Sequence, residues 1–212
     1  MSLSAKNILI SKLKANGITD ESVLDAFLKC ERHKFLPSVM AHLAYEDTAL
    51  HIGFGQTISQ PTTVAIMTQS ARIRKGDRVL EVGTGSGFQA AILAEMGAKV
   101  FTIEREYDLH IQSRDRLEKL GYSVHTKWGD GSIGWNEFAP YDAILVTAGS
   151  PTIPTSLKNQ LAEGGRLIIP VGDRESQKML IITKINSSNF ETEEIPEFKF
   201  VPLLGKDGWK RR

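Results

Sequence analysis

Apolar residues recur at helical spacing over residues 5 to 16, interspersed with Lys6, Lys12 and Lys14, and the pattern stops at Gly17. This predicts an amphipathic helix. Residues Asp20 to Cys30 repeat the period behind a cap at Thr19 or Asp20 and predict a second helix. Two such helices cannot form a domain alone. The stretches RHKFLP at 32 to 37 and AYEDTALHIGFGQ at 44 to 56 mix aromatics with charges and hold no period, so they read as irregular, site-forming loops. A third helix opens at Pro61, with Val64, Met67 and Ala71 along one face.

From Asp77 the chain alternates short apolar runs with amphipathic segments, the pattern of a parallel sheet flanked by helices. Strands are predicted at Arg78 to Val82, Lys99 to Glu104, Ser123 to Trp128, Tyr141 to Thr147 and Arg166 to Val171. Helices are predicted at Phe88 to Met96, at Tyr107 to Leu120 before Gly121, and at Pro154 to Ala162 before Gly164 and Gly165. Lys178 to Ile185 and Phe198 to Leu203 are strand-like and suit a terminal antiparallel pair. The organisation expected is one compact unit, with residues 1–76 (helices and active-site loop) packed on a sheet domain of residues 77–212.

Composition narrows the function. The chain has 212 residues, with 26 basic and 25 acidic side chains. A net charge of +1 gives no field for nucleic acid or an anionic membrane. The single cysteine, Cys30, excludes an internal disulfide and a zinc cluster. His33, His42, His51, His110 and His125 show no metal-ligand spacing, so no metal is expected. The N-terminal segment lacks the unbroken apolar core of a signal peptide, and nothing later approaches a membrane span. A cytoplasmic monomer is the expectation.

The candidate chemistry begins at VLEVGTGSGFQAAILA, residues 79 to 94, where Gly83, Gly85 and Gly87 join a buried strand to a helix. Glycines there let a ligand approach the backbone, and the helix start offers amide donors. The spacing is G-x-G-x-G, because Phe88 stands where a dinucleotide motif has its last glycine. That disfavours a nicotinamide oxidoreductase. Glu81, before the first glycine, would repel phosphates and attract a cation. Glu104 closes the second strand, where a carboxylate can accept both hydroxyls of a ribose, and Asp130 in WGDG can accept from an adenine amine. Singly, these features also fit a tight turn, a solvated strand end and a Gly turn. Together, at consecutive strand ends, they fit a ligand with a ribose, an adenine and a positive charge but no phosphate: S-adenosyl-L-methionine.

These residues, with GQTISQP at 55 to 61, TIER at 102 to 105, GDG at 129 to 131, YDAILVTAGSPTIP at 141 to 154, GGRLIIPVG at 164 to 172 and FVPLLGKDGW at 200 to 209, closely resemble the protein-L-isoaspartate O-methyltransferase family. The resemblance implies an α/β fold, doubly wound around a mostly parallel seven-stranded sheet. It implies methylation of the free α-carboxylate of L-isoaspartyl residues in damaged proteins and peptides, which initiates repair through a succinimide and leaves S-adenosyl-L-homocysteine. By the same resemblance Ser59 is the catalytic position. The cofactor is met by Thr57, Ile58, Ser59 and Gln60, by Glu81 and the Gly83–Thr84–Gly85–Ser86–Gly87 turn, by Glu104 and Arg105, and by Asp130 and Gly131. The substrate is met by Ser59 and by Val201, Pro202 and Leu203, whose backbone would receive an extended peptide. The chain departs from the family pattern at Ala49 and His51, where prolines are frequent, and at Phe88, where Tyr is common.

The GFGQTISQP segment holds no titratable side chain, which suits this reaction, because a carboxylate with a pKa of about 4 is already ionised and needs no general base. Ser59 can supply a hydrogen-bond donor and the helix opened by Pro61 a favourable dipole. Ser59 also lies within one residue of the expected helix cap, so the sequence leaves a capping role open beside catalysis. Tyr45 and Asp47 are expected to order the loop. Two other functions remain: a methyltransferase of a small carboxylic acid, and a non-catalytic adaptor that binds S-adenosylmethionine.

Overall fold

The computed structural model describes residues 3–210, so Met1, Ser2 and the last two arginines of WKRR lie outside the described residues. Seven strands form one sheet in the order β5-β4-β3-β6-β7-β8-β9. They are β3 (Arg78–Val82), β4 (Lys99–Glu104), β5 (Val124–Trp128), β6 (Tyr141–Val146), β7 (Leu161–Gly172), β8 (Gln177–Lys184) and β9 (Phe190–Phe198). The pairs from β5 to β7 are parallel, and β8 and β9 are antiparallel. From β3 the chain steps outward through β4 to β5 and then returns to place β6 on the other side of β3. A crevice opens at such a reversal, outside the carboxyl ends of β3 and β6.

Both faces of the sheet are covered. On one, α1 (Leu3–Ala15), α2 (Glu21–Lys29), α3 (Pro61–Ala71) and α4 (Phe88–Glu95) pack their apolar sides against Val79, Ala143, Leu145 and Ile168. On the other, Leu80, Phe101, Tyr141, Ile144 and Leu167 meet Leu157 of α6 (Thr155–Asn159). The α5 helix (Tyr107–Lys119) adds Leu109 and Leu117 to the first face. The N-terminal helices are tied to α3 by polar bonds as well: Asn16 Nδ2 donates to Thr62 Oγ1 at 2.9 Å, and the N–H groups of Thr19 and Asp20 donate to Gln69 Oε1.

Three expectations are corrected. The helix from Pro154 stops at Asn159, because Leu161 is buried in the second core and begins β7. Gly164 and Gly165 lie inside that strand, where a Cβ on Gly165 would sit 2.8 Å from the Ala162 carbonyl. The terminal pair is β8 with Phe190–Phe198, not with Phe198 to Leu203. Asn186 makes a tight turn by accepting from the Ser188 and Asn189 N–H groups, so the acidic stretch becomes the edge strand, where exposed glutamates block further pairing. The presumed loops carry structure of their own: 3-10 turns at Arg32–Phe35 and Ser38–Leu43, and a hairpin of β1 (Leu50–Gly53) and β2 (Gln56–Ile58). The hairpin tip turns on Gly53, Phe54 and Gly55, all at positive φ.

Candidate active site

The crevice at the switch point is walled by the ends of β3, β4 and β6, by β2 and the start of α3, and by the extended segment Val201–Leu204. The glycine turn forms its floor. Gly83 has φ +100°, and a Cβ there would lie 2.5 Å from Thr147 Oγ1, so both conformation and space require glycine. Gly87, at the N-terminal boundary of α4, does not line the cavity and lies against Leu117.

Glu81 is fully buried at the back of this cavity. Its neighbour across the parallel ladder is Thr102, whose hydroxyl donates to Glu81 Oε2 at 2.5 Å and pairs with Thr84 Oγ1 at 2.7 Å. The other oxygen, Oε1, has no partner among the described residues. Burial pushes the carboxyl up to about 8; the Thr102 bond works against this, and the charge of Glu104 adds to it. A buried acceptor with an open lone pair, on a cavity that also carries Glu104, suits a cationic ligand. It does not suit a pyrophosphate.

Glu104 ends β4 at the cavity wall as the sequence predicts. Its carboxylate accepts from the N–H of Gly85 at 2.8 Å, of Arg105 at 2.7 Å and of Glu106 at 3.0 Å. Those bonds lock the TIER corner onto the glycine turn. Asp130 behaves differently. It accepts from Ser132 N–H and Oγ and from Lys206 N–H, and only its neighbour Gly131 reaches the cavity wall. Burial alone would raise the Asp130 carboxyl, but the bonds from Lys206 and Ser132 outweigh it and hold it below the usual range. Asp130 thus staples the GDG corner to the C-terminal segment.

Thr57, Ile58 and Ser59 line the opposite wall, while Gln60, the residue before α3, does not. Gln60 makes no side-chain cap, and the first turn of α3 is capped from a distance by Asp47. Ser59 Oγ therefore has no capping role and no hydrogen-bond partner among the described residues, while the Ser59 carbonyl accepts from Arg32 at 3.0 Å. Val201, Pro202 and Leu203 close the cavity from the far side. Gly149 pairs with this segment, its N–H to the Val201 carbonyl and its carbonyl from the Leu203 N–H, both at 2.8 Å. That pairing uses one edge of the segment.

The cavity thus brings together Ser59 and its neighbours Thr57 and Ile58, Glu81, the turn from Gly83 to Ser86, Glu104, Arg105, Gly131 and Val201–Leu203. Sequence reasoning missed Gln89, Thr102, Thr147 and Arg32. Gln89 lines the cavity, donates to Thr68 Oγ1 at 2.9 Å and leaves its own Oε1 unpartnered. Thr102 is recognisable only once the register sets it beside Glu81. Among the described residues no group of His, Cys, Asp and Glu is arranged to hold a metal, and no helix is long and apolar enough to cross a membrane.

The family model for protein-L-isoaspartate(D-aspartate) O-methyltransferases matches residues 4–208. The chain belongs to this family. It is 51% identical over 203 residues to the protein-L-isoaspartate O-methyltransferase of Dictyoglomus turgidum, covering 95% of this chain and 92% of that one. It is 50% identical to that of Cytophaga hutchinsonii over 204 residues, covering 96% and 92%. A solved protein-L-isoaspartate O-methyltransferase superposes with a TM-score of 0.85 at 30% identity, covering 96% of this chain and 67% of that chain. A Plasmodium falciparum structure described as a protein-L-isoaspartate O-methyltransferase, in complex with S-adenosyl-L-homocysteine, superposes with a TM-score of 0.80 at 28% identity over 92% and 96% of the two chains.

Proposed function

We propose that this chain is an S-adenosylmethionine-dependent protein carboxyl O-methyltransferase that acts on the free α-carboxylate of L-isoaspartyl residues in damaged proteins and peptides. The observation that carries the proposal is the cavity itself: one cavity is lined both by Glu81, with its unpartnered oxygen, and by Ser59, whose hydroxyl has no partner among the described residues. Membership of the family and the relatives' names supply the reaction class.

The residues present fit S-adenosyl-L-methionine. Glu81 offers an acceptor to an ammonium group, Glu104 stands at the strand end where a ribose is held, and Gly83 and Gly85 leave the floor bare. When bound, the cofactor supplies an electrophilic methyl group and leaves as S-adenosyl-L-homocysteine. The chain's own contribution is placement. The substrate carboxylate enters ionised, so no side chain has to remove a proton. Ser59 Oγ donates one hydrogen bond to a carboxylate oxygen, and the N-terminus of α3, which opens at Pro61, favours the negative charge. Such positioning, with water excluded by Val64, Met67 and Phe88 in the wall, supplies the in-line geometry that alkyl transfer needs.

Val201–Leu203 would receive the peptide backbone through the groups that Gly149 and Trp209 leave free, the Pro202 carbonyl first among them. The following backbone nitrogen of the substrate then attacks the methyl ester, losing its proton as methanol leaves, and the succinimide closes without further help from the protein. Asp130 supports the cofactor indirectly, through the corner that carries Gly131. The near-neutral charge and the single buried cysteine support a cytoplasmic monomer, with no nucleic-acid or membrane partner, working as one unit of residues 1–76 on 77–212. Incubation with methyl-labelled S-adenosylmethionine and an isoaspartyl peptide tests the proposal: base-labile label on the peptide supports it, and its absence removes it.

A further inference from the structure

Arg32 is the largest fully buried side chain among the described residues, at 1% exposure. Charged residues are almost never so buried without a direct counter-ion, yet none of the described ion pairs includes it. Its guanidinium instead donates to three backbone carbonyls: Ala44 at 2.7 Å, Thr48 at 3.1 Å and Ser59 at 3.0 Å. All three belong to the segment between the 3-10 turns and α3. The guanidinium also lies 5.7 Å from the ring centre of Phe88, which lines the cavity. Asp47 supplies compensating charge nearby while its own oxygens are bonded to Thr62. Packing alone does not call for this arrangement, because an apolar side chain of similar volume fills a core without the desolvation cost of a charge.

We propose that Arg32 is a positioning residue for methyl transfer: it clamps the Ala44, Thr48 and Ser59 carbonyls from behind the loop and so fixes the direction in which Ser59 presents its hydroxyl to the substrate carboxylate. The clamp also sets a cation behind Ser59 in a cavity whose wall carries the Glu104 carboxylate, which repels an incoming carboxylate. Lysine cannot replace it in full, since an ammonium is a point donor and lacks the planar fork that spans several carbonyls. The inference rests on the reading of Ser59 as the substrate-facing hydroxyl.

The test is a kinetic comparison of Arg32→Lys and Arg32→Gln in the full chain, with an isoaspartyl peptide as substrate and S-adenosylhomocysteine binding as the readout of folded cofactor site. Arg32→Lys is expected to lower kcat by roughly 10- to 100-fold, the scale of a small misplacement of a reacting group, with S-adenosylhomocysteine affinity little changed. Arg32→Gln, without the charge, should lower kcat further and also raise the peptide KM. Combining Arg32→Lys with Ser59→Ala should cost little beyond Ser59→Ala alone, because the clamp acts through that hydroxyl. Wild-type kcat in Arg32→Lys overturns the inference. So does a parallel loss of turnover and S-adenosylhomocysteine affinity, or failure of both variants to fold, either of which assigns Arg32 to the core alone. Full turnover in Ser59→Ala by itself would instead remove the Ser59 reading, whatever the Arg32 variants do.

Discussion

The Asp47 carboxylate accepts two hydrogen bonds from Thr62, from its N–H at 2.8 Å and from its hydroxyl at 2.8 Å. It thereby caps α3 from fifteen residues upstream, which leaves the serine nearest the helix start with nothing to cap. The capping role that the sequence leaves open for Ser59 falls to Asp47. Asp47→Ala should strand the Thr62 N–H and destabilise the fold by about 1–2 kcal/mol, the usual worth of a cap. Urea melts check it, with Asp47→Asn expected between the two because it keeps one acceptor.

Ser59→Ala separates chemistry from structure. With no cap to lose, the variant should melt like the wild type and bind S-adenosylmethionine normally. Turnover on an isoaspartyl peptide should fall by about 10²-fold or more, the loss seen when a single preorganised donor is removed. Near-normal turnover would reduce Ser59 to a wall residue.

The pH response should report Glu81. Its carboxyl is raised from 4.5 to about 8 in the folded chain, so the folded state holds the proton more tightly than the unfolded one. The stability that Glu81 contributes is therefore fully present below its unfolded value of 4.5, is lost as pH rises through about 8, and amounts to on the order of a few kcal/mol. Glu81→Gln should flatten that slope in the ligand-free protein. The same substitution should weaken S-adenosylmethionine binding most at high pH, where wild-type Glu81 carries its charge. Parallel melting curves from pH 5 to 9 for both proteins decide it; an equal slope in each would place the titration elsewhere.

Gly83→Ala sets a Cβ 2.5 Å from Thr147 Oγ1 at a φ of +100°. Thr147 Oγ1 already donates to the Val82 and Gly83 carbonyls, so the joint between β3 and the end of β6 must open. A loss of roughly 1–3 kcal/mol is expected, together with a large drop in cofactor affinity. Calorimetric melting and S-adenosylhomocysteine titration measure the two.

Much of this arrangement is legible in the chain. The runs at 78–82, 99–104 and 141–146 are apolar enough to be buried on both faces, and their order with intervening helices fixes a parallel sheet. Glu81 and Glu104 follow from their places at strand ends. The hydrogen bonds that hold Asp130 are not legible in the chain, because its partner Lys206 lies 76 residues away and no local pattern shows that the C-terminal segment folds back over the GDG corner. Gly164 and Gly165 imitate a helix stop, although burial of Leu161 had already begun a strand. Arg32 leaves no periodic signal, since its partners are backbone carbonyls, which every residue carries alike.

The cavity between Ser59 and Val201–Leu203 should accept an α-carboxylate displaced from its normal place in the peptide chain. The most direct measurement is methyl transfer from labelled S-adenosylmethionine to an L-isoaspartyl peptide and to its normal aspartyl twin, side by side. Base-labile label is expected on the isoaspartyl peptide and little on the twin. Equal labelling of the two, or label on a small carboxylic acid and on neither peptide, would contradict it.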